Sequence, residues 1–512
     1  MPSYAVLLQS AFCEAVRKSE NGSLPLETIC HVLDGFRQNS LFEGLQSEKR
    51  FMNFLVKKQW LAAPDQVVVE RKEVLKKNMV VSSIPVKFGY AVPFETLLEK
   101  VLNLPEVLYC IDHPKPVQEG KYTSPLDGLY YRNHPLVKKY PGTLAFGFYV
   151  DDVQPSDKGS TKHLSGRFAY WNLLNIYPEL RSSPRAINLI FAAQTEFVKE
   201  YGFDAFLEDY IKGMQKLSSD EGLKLIIMGK ERIFHGIQLV CCGDNPASAN
   251  VAGFKESHFA DLPCRQCMGT KPEIYESFVE VSFQLRSEET HEQHVKEVEQ
   301  YLAKPSAWPK DKKNPSVKYG VNSRSVFMKI PNFDCTVSFV QDLMHDVILG
   351  TLKLEIICLL NHAIGGNFIK LDTVNDRIMK YAKYFGVNKP SRIETAHLKE
   401  EILYHSAAET LSLAQILPFA LLKEDDTSGV IESVCDTENL ECYILRLNLL
   451  NFQMATEFTD EDVKHLIEMT KTHHEKFLKL YPKARIPKLH YEIHSPRQII
   501  FFGRLRQHWC MR

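Results

Sequence analysis

The sequence lacks several features that would assign it to a class at once. Its formal net charge is only −1, so any contact with nucleic acid would have to come from local patches of charge. The first sixteen residues have no basic leader before their apolar positions, and they carry Glu14, so we expect no secretory signal. No apolar run reaches the length of a membrane span, and no internal repeat is visible. We therefore expect an intracellular protein without a membrane anchor.

The twelve cysteines are scattered and do not form the spaced framework of a disulfide-rich protein. Two pairs lie close together, Cys241 with Cys242 and Cys264 with Cys267. Such usage suits reduced thiols in the cytosol or the nucleus. With 44% hydrophobic and 24% charged residues over 512 positions, the composition is that of a folded soluble protein of two or three packed units.

Changes in composition and in apolar pattern divide the chain into five regions. Residues 1–118 are expected to be mainly helical and of unknown role. Residues 119–270 begin a β-rich core, with strands expected at 144–150, 167–177 and 187–193, then a helix over 195–217 and two more β-like runs. Residues 271–328 read as a polar insertion, 329–425 as the helical second part of the core, and 426–512 as a basic helical region. This order predicts an α/β core with all-α flanks.

Carboxylates end two of the expected strands. Asp151 and Asp152 follow the strand 144–150, and Asp244 follows the apolar run that ends in the Cys241 and Cys242 pair. Two carboxylates at the ends of neighbouring strands can share the divalent ions that in-line phosphoryl transfer needs, and oxygen ligands favour Mg²⁺ or Mn²⁺. Acids after strands are also common turn residues, so spacing alone leaves both interpretations open.

A CxxC pair, Cys264 and Cys267, follows Asp244 by twenty residues. Two thiolates at this spacing can hold one side of a tetrahedral Zn²⁺ ion. Asp342 and His345, an i, i+3 pair on an expected helix, are candidates for the other two ligands. The alternatives are replacement of one of them by Cys335 or His362, or two buried thiols with no metal at all.

The last part of the chain carries a local positive charge. From Lys471 to Arg512 there are ten Lys or Arg against two Glu, a net charge of +8 over 42 residues. We expect this region to contact DNA phosphates, with a merely basic helical cap as the alternative, and a homodimer is left open. No small-molecule substrate is expected. Polar aromatic side chains that could take part are His473, His474, Tyr491 and Trp509.

Four blocks of the sequence, in order between about 146 and 512, resemble blocks of animal transposase-like proteins related to the CACTA (En/Spm) elements. They are FYVDDVQPSDKGSTKHLSGRFAYWNLLNIYPELRSS, GDNPASANVAGFKESHFADLPCRQCMGTKPEI, DLMHDVILG and HLIEMTKTHHEKFLKLYPKARIPKLHYEIHSPRQIIFFGRLRQHWCMR. Four blocks in the same order are more specific than any single motif. The resemblance implies a nuclear cut-and-paste DNA transposase with an RNase H-like catalytic core.

The resemblance also assigns roles to individual residues. It implies that Asp151 is the first catalytic acid, with Asp152 as the fallback, and that Asp244 is the second. With a later glutamate, they would hold two Mg²⁺ or Mn²⁺ ions that cleave one DNA strand and join the new 3′-hydroxyl to target DNA. It implies that a structural Zn²⁺ is held by Cys264, Cys267, Asp342 and His345.

The third acid is missing from its expected position. The resembling proteins carry Glu in the motif MHDxxEG, and the aligned residue here is Leu349. Glu355 and Glu409 are the remaining candidates, and each is also explained as a solvated glutamate on a helix face. The chain also stops at Arg512, where the resembling proteins continue. We expect a truncated or degenerate copy, and the alternative to an active transposase is a catalytically inactive nuclear protein that binds DNA or protein.

Overall fold

The computed structural model describes residues 62–75, 81–153, 165–181, 183–256, 259–385, 389–422 and 434–507. The chain divides into two units, Met1–Ala63 and Pro64–Arg512, and the description below concerns the second. Residues 1–61 of the expected helical region 1–118 lie outside the described residues, as do Trp509 and Arg512.

The secondary structure of the described residues alternates between strands and helices up to Ala252 and is almost wholly helical afterwards. The strands are β1 (Asp65–Leu75), β2 (Val81–Ala91), β3 (Lys121–Tyr122), β4 (Leu144–Val153), β5 (Gly166–Leu173), β6 (Asn188–Gln194), β7 (Leu223–Ile227), β8 (Lys230–Phe234), β9 (Gly236–Gly243) and β10 (Phe458–Thr459). The helices are α1 (Phe94–Leu102), α2 (Pro105–Asp112), α3 (Leu129–Asn133), α4 (Pro135–Lys139), α5 (Pro178–Arg181), α6 (Thr195–Tyr201), α7 (Asp204–Leu217), α8 (Asn245–Ala252), α9 (Glu288–Ala303), α10 (Pro315–Tyr319), α11 (Cys335–Ser338), α12 (Leu352–Gly365), α13 (Leu371–Phe385), α14 (Thr395–Glu400), α15 (Ala407–Ala420), α16 (Thr437–Gln453), α17 (Asp460–Leu480), α18 (Pro487–Glu492) and α19 (Ser495–Phe502). A π-helix, Met344–Thr351, runs directly into α12.

Six of the strands form one mixed sheet in the order β1-β2-β6-β5-β4-β9. Neighbouring strands are antiparallel except β4 and β9, which run parallel. Strands β4 and β9 are buried on both faces, which explains why their sequences are continuous apolar runs without alternation. The expected α/β class is confirmed.

Residues 65–91 form strands β1 and β2, so the expectation that residues 1–118 are mainly helical is wrong for this stretch. The two strands pair along their whole length, and β2 joins the sheet by pairing Gly89 with Ala193 of β6. A side chain at position 89 would meet the Ala193 Cβ at 2.7 Å, so glycine is required by the close approach of the two strands. The antiparallel pairing of β1 with β2, and of β2 with β6, determines the structure of this segment.

The two faces of the sheet are covered by different parts of the chain. On one face, an aromatic cluster packs Phe94 against Phe146, Trp171 and Tyr210, with ring centroids 4.9–5.7 Å apart. On the other face, Phe502 of α19 belongs to a core with residues of β4, β9 and α3. This face of the sheet is therefore covered in part by α19, which lies near the end of the described sequence.

The expected helix over 195–217 is two helices, α6 and α7, separated at Gly202. Gly202 has a φ of +77°, a left-handed conformation that glycine adopts without strain. The break lets α7 turn onto the sheet, where it packs against β2, β6 and β9. The core that contains Phe94, Phe146 and Trp171 is called the main core below. Helix α9 lies inside the expected polar insertion, and its Val295 and Val298 are buried in this main core.

A second core lies among helices α12, α13, α15, α16 and α17. The π-helix and α12 together make a 22-residue helix, Met344–Gly365, with mean hydropathy 1.7, and 61% of its most apolar stretch is buried inside the protein. This helix is long and apolar enough to cross a membrane, so the expectation that no apolar run reaches that length is wrong here. Its burial and its inward-facing Asp346 and Glu355 identify it as a core helix of the folded chain.

A buried ion pair lies at the centre of this helical part. Arg446 Nη1 donates to Glu492 Oε2 at 2.9 Å, Nη2 lies 2.8 Å from Glu492 Oε1, and both side chains are at most 1% exposed. Gln453 donates a further hydrogen bond to Glu492 at 3.0 Å. Burial alone would raise the pKa of Glu492, but the charge of Arg446 lowers it to about 2.

The replacement Arg446→Met is expected to lower the free energy of unfolding by about 3–5 kcal/mol at neutral pH, because it leaves the Glu492 carboxylate buried without its partner. The carboxylate contributes stability above its unfolded pKa of about 4.3, and this contribution is lost as pH falls toward 2. The difference in the free energy of unfolding between the wild type and Arg446→Met should therefore become smaller between about pH 5 and pH 2. Urea titrations at several pH values measure this difference.

The matched control is Lys476→Met, which breaks the surface pair between Lys476 and Glu441 at 2.7 Å. That change is expected to cost no more than about 1 kcal/mol, because exposed ion pairs contribute little. Equal losses for the two variants would contradict the central role given to the Arg446–Glu492 pair.

Candidate metal centre

The CxxC pair lies in a buried loop that follows α8. Cys264 and Cys267 are 1% and 0% exposed. The loop is held by the buried guanidinium of Arg286, which donates to the carbonyl oxygen of Cys264 at 3.0 Å and to that of Tyr319 at 2.8 Å. Cys267 also forms a β-bridge with Leu285. The two thiols are therefore fixed in place by backbone contacts on both sides.

Two histidines from the far end of the described sequence complete the site. His490 in α18 and His494 just before α19 are both fully buried and lie four residues apart, so they face the same side. His494 Nε2 is 3.3 Å from Cys264 Sγ, and His490 Nε2 is 3.2 Å from Cys267 Sγ. All four candidate ligand atoms lie within 4.8 Å of one another. Two sulfurs and two nitrogens in this arrangement could hold a metal ion.

Hydrogen bonds outside the ligand set orient the site. His494 Nδ1 is 2.5 Å from Glu280 Oε1, and Arg497 Nε donates to the same oxygen at 2.8 Å. The backbone N–H of Gln266 donates to Cys264 Sγ at 3.3 Å. A carboxylate on the outer nitrogen of a metal-binding histidine fixes the ring and its tautomer, so Nε2 is free to face the thiols.

The electrostatics of the site favour a charged thiolate. Burial alone would raise the pKa of the Cys264 thiol, but hydrogen bonding from Cys267 and the charge of His494 hold it well below its ordinary value. Burial would lower the pKa of His494, but Cys264 and Glu280 raise it to about 9. The thiolate is the form of cysteine that binds metals.

Asp342 and His345 do not join the two cysteines, so half of the expected ligand set is wrong. Asp342 Oδ1 instead accepts hydrogen bonds from the backbone N–H groups of Met344 and His345, at 2.7 and 3.1 Å, and so caps the following helix. Its other oxygen lies 3.3 Å from His345 Nδ1. The reserve candidates are elsewhere too: Cys335 begins α11 in the main core, and His362 contacts Asp436.

The sequence carried a signal for the histidines that were missed. His490 and His494 form an HxxxH pair, and a CxxC pair with a later HxxxH pair is a zinc-binding pattern. The separation is far longer than in compact zinc motifs, since Cys267 and His490 are 223 residues apart. The DxxH pair at 342–345 satisfied the same local rule and is closer in sequence.

The first two predicted acids lie at adjacent strand ends. In the parallel pairing of β4 and β9, Val150 pairs with Gly243, and the next residues along the two strands are Asp151 and Asp244. Asp244 also accepts a hydrogen bond from the Ala247 N–H at 2.7 Å and so caps α8, as the turn interpretation expected. The structure therefore brings these two residues to one edge of the sheet.

Asp152, the fallback acid, is committed to another contact. Arg167 on the neighbouring strand β5 donates to both of its carboxylate oxygens, at 2.7 and 2.8 Å. The Thr195 hydroxyl donates to one of them at 3.3 Å. These contacts give Asp152 one structural partner on β5 and another at the start of α6.

A cleft of about 720 Å³ opens where Asp244 ends β9. The segment after α11 extends the sheet by a parallel bridge between Phe339 and Cys241 and leads into the π-helix. Leu349 of the π-helix lines the cleft together with Asp244, and so do Lys353, Lys488, Glu256 and Glu401. The position where the resemblance expects an acid therefore contributes an aliphatic side chain to the cleft.

A further acid, Asp346, stands close to this cleft and was missed at the sequence level. Its carboxylate is 2% exposed and accepts a short hydrogen bond from Asn245, the residue after Asp244. Burial raises the pKa of Asp346 to about 6, although Lys488 and Arg265 oppose the shift.

Neither candidate for the third acid lines the cleft. Glu355 is 2% exposed and faces the helical core, where its Oε2 lies 2.9 Å from His473 Nε2. Glu409 is the third residue of α15 and completes a capping box with Ser406. Hydrogen bonds from Ser391 and Ser406 lower the pKa of Glu409 to about 2. The structure brings neither side chain together with Asp151 and Asp244.

Only part of the basic C-terminal region is exposed. His473, His474 and Tyr491 are buried, so they cannot contact phosphates as the sequence suggested. Lys488 donates to the carbonyl oxygen of His345 at 2.7 Å. The exposed basic side chains of the described part of this region include Lys479, Lys483 and Arg485.

Neither a comparison with protein-family models nor a comparison with curated proteins returned a match for this chain.

Replacing His490 by alanine is expected to remove one equivalent of bound metal per chain, because it deletes a ligand of the Cys264–Cys267–His490–His494 centre. Elemental analysis of the purified chain measures the loss. The control is His345→Ala, which should keep the metal because His345 faces Asp342. If His345→Ala lost the metal and His490→Ala retained it, the metal would be held by the ligand set expected from sequence, with Asp342 and His345.

Proposed function

We propose that this protein derives from a CACTA-type DNA transposase and now acts as a nuclear DNA-binding protein that has lost metal-dependent strand transfer. The observation that carries the proposal is Leu349, which lines the cleft at Asp244 where two-metal chemistry would need a third carboxylate. The four ordered sequence blocks support the ancestry.

The sheet supports the RNase H-like core that the ancestry implies. Strands β4, β5 and β6 are antiparallel neighbours, and β9 adds to β4 in the parallel direction. Asp151 lies two residues before the end of β4, and Asp244 directly follows β9. This placement supports the proposal that they are the first two acids of such a core.

The metal centre supports the same ancestry. A CxxC pair shortly after the second acid belongs to the implied scheme, and we infer that the ion held with His490 and His494 is Zn²⁺. Two thiolates and two imidazoles are ligands that zinc prefers in closed, tetrahedral structural sites. In this role zinc would join the loop after α8 to helices α18 and α19.

Loss of catalysis follows from the carboxylates that remain near the cleft. Mg²⁺ and Mn²⁺ are held by charged oxygens, and Asp151 and Asp244 would supply two. Glu355 and Glu409 are engaged elsewhere, and Asp346 accepts a hydrogen bond from Asn245. Glu256 and Glu401 line the cleft, but they lie outside the motif in which the resemblance expects the third acid. Two carboxylates at adjacent strand ends favour the second candidate function, an active transposase, and the cleavage test below distinguishes the two.

The replacement Leu349→Glu is expected to restore a metal ligand. It should strengthen Mn²⁺ binding by about tenfold or more, since even outer-shell contacts of a metal site change affinity by about 10–100-fold. Titration calorimetry measures the affinity. Leu349→Gln has a similar size without the charge and should leave Mn²⁺ binding at the wild-type level.

Cleavage of supercoiled DNA with Mn²⁺ tests the loss of catalysis directly. The wild-type chain should nick the DNA no faster than Asp244→Ala, because Leu349 stands where the resemblance expects the third acid. Nicking by the wild type that Asp244→Ala abolishes would show an active enzyme and overturn the proposal of lost catalysis.

DNA binding is expected to use Lys479, Lys483 and Arg485, which are exposed at the end of α17 and in the turn that follows. Each phosphate contact adds about 0.9 to the slope of log affinity against log salt. Changing all three to Gln should therefore lower that slope by about 2–3, as measured by fluorescence anisotropy at several salt concentrations.

The control is Lys464→Gln on the same helix, because Lys464 is exposed but pairs with Glu461 at 3.4 Å. This variant should keep the wild-type slope. An unchanged slope in the triple variant would mean that DNA, if bound, is held by another surface.

A further inference from the structure

A second group of metal-ligating side chains lies inside the helical core, apart from the Cys/His centre. It consists of Glu355 from α12, Cys442 from α16 and His473 from α17. All three are buried, and their candidate ligand atoms lie within 4.8 Å of one another. Helices α12, α16 and α17 thus present a carboxylate, a thiol and an imidazole to one point.

The hydrogen bonds of the neighbouring histidine fix the orientation of the His473 ring. His474 Nε2 lies 2.9 Å from the carbonyl oxygen of Leu489, which can only accept, so this nitrogen carries the hydrogen of a neutral ring. His474 Nδ1 is then an acceptor, and His473 Nδ1, 3.0 Å away, donates to it. The remaining nitrogen of a neutral His473, Nε2, therefore presents a lone pair to the cluster.

That lone pair faces a carboxylate. His473 Nε2 is 2.9 Å from Glu355 Oε2, and two acceptors at this distance repel each other unless a cation lies between them. The other oxygen, Glu355 Oε1, is buried and has no hydrogen-bond partner among the described residues. A proton on His473 Nε2 would satisfy the contact with Glu355 Oε2 but would leave Glu355 Oε1 without a partner among the described residues.

We propose that Glu355, Cys442 and His473 bind a Zn²⁺ ion in the helical core, a second metal site independent of the Cys264–Cys267–His490–His494 centre. One carboxylate, one thiolate and one neutral imidazole sum to a charge of −2, so a divalent ion makes the buried site neutral. Binding releases the thiol proton to solvent and changes no oxidation state.

The geometry needs only a small adjustment. Zinc–nitrogen and zinc–oxygen bonds of about 2.0–2.1 Å in a tetrahedral site place the two ligand atoms about 3.4 Å apart. His473 Nε2 and Glu355 Oε2 would have to separate by a few tenths of an ångström from their 2.9 Å contact. Thiolate and imidazole ligands favour zinc over Mg²⁺ or Ca²⁺. The three protein ligands leave a fourth position for water or another small ligand.

The zinc content of the full wild-type chain tests the proposal without any substitution. Purified from zinc-containing medium and dialysed, the chain should hold two equivalents by elemental analysis. Titration of the metal-free chain with Co²⁺ should likewise saturate at two equivalents, with thiolate-to-cobalt absorption from both sites.

Two variants assign the second equivalent. Cys442→Ser and Glu355→Gln keep nearly the same side-chain volume, and each should reduce the zinc content from two to one. Cys358→Ser is the matched control, because Cys358 packs in the same apolar cluster as Cys442 but is not one of the three ligands. It should retain two equivalents.

The outcomes separate this site from the first one. A wild-type chain that holds one equivalent, lost in His490→Ala and retained in Cys442→Ser, would overturn the second site and leave the Cys/His centre intact. Two equivalents, one lost in Cys442→Ser and the other in His490→Ala, would support both sites.

Discussion

The contact between the CxxC loop and the HxxxH pair is the constraint on which the rest of the structure depends. Cys264 and His494 are 230 residues apart in sequence, yet their ligand atoms lie 3.3 Å apart. This contact joins the loop after the sheet to α18 and α19. Helix α19 in turn covers one face of β4 and β9, and α18 carries Glu492 into the helical core. The two cores of the unit are therefore held together at the point where a metal would bind.

The strand-end cleft depends on the same arrangement. Lys488 and Tyr491 of α18 line it, and Lys488 donates to the backbone of His345 in the π-helix. The cleft has Asp244 at its edge and Leu349 in its lining. The buried contacts that shape the cleft stabilise the fold as well.

The features that sequence predicted correctly are those with a local physical cause. The apolar run of β4 and the position of Asp244 directly after β9 follow from burial on two faces and from the strand end. The CxxC pair is a local motif as well. In contrast, the histidine ligands, the position of β2 beside β6 and the buried position of Glu355 depend on partners far along the chain. Asp342 and His345 satisfied the same i, i+3 rule as a true ligand pair, and only the fold distinguishes them.

Hydrogen exchange of the wild-type chain and of Cys264→Ser tests most directly whether one metal centre joins these distant segments. We expect the variant to lose protection from hydrogen exchange in residues 487–502 as well as in the loop 262–269, because the ion that links these two segments is lost. Protection lost in the loop alone, with residues 487–502 unchanged, would contradict it.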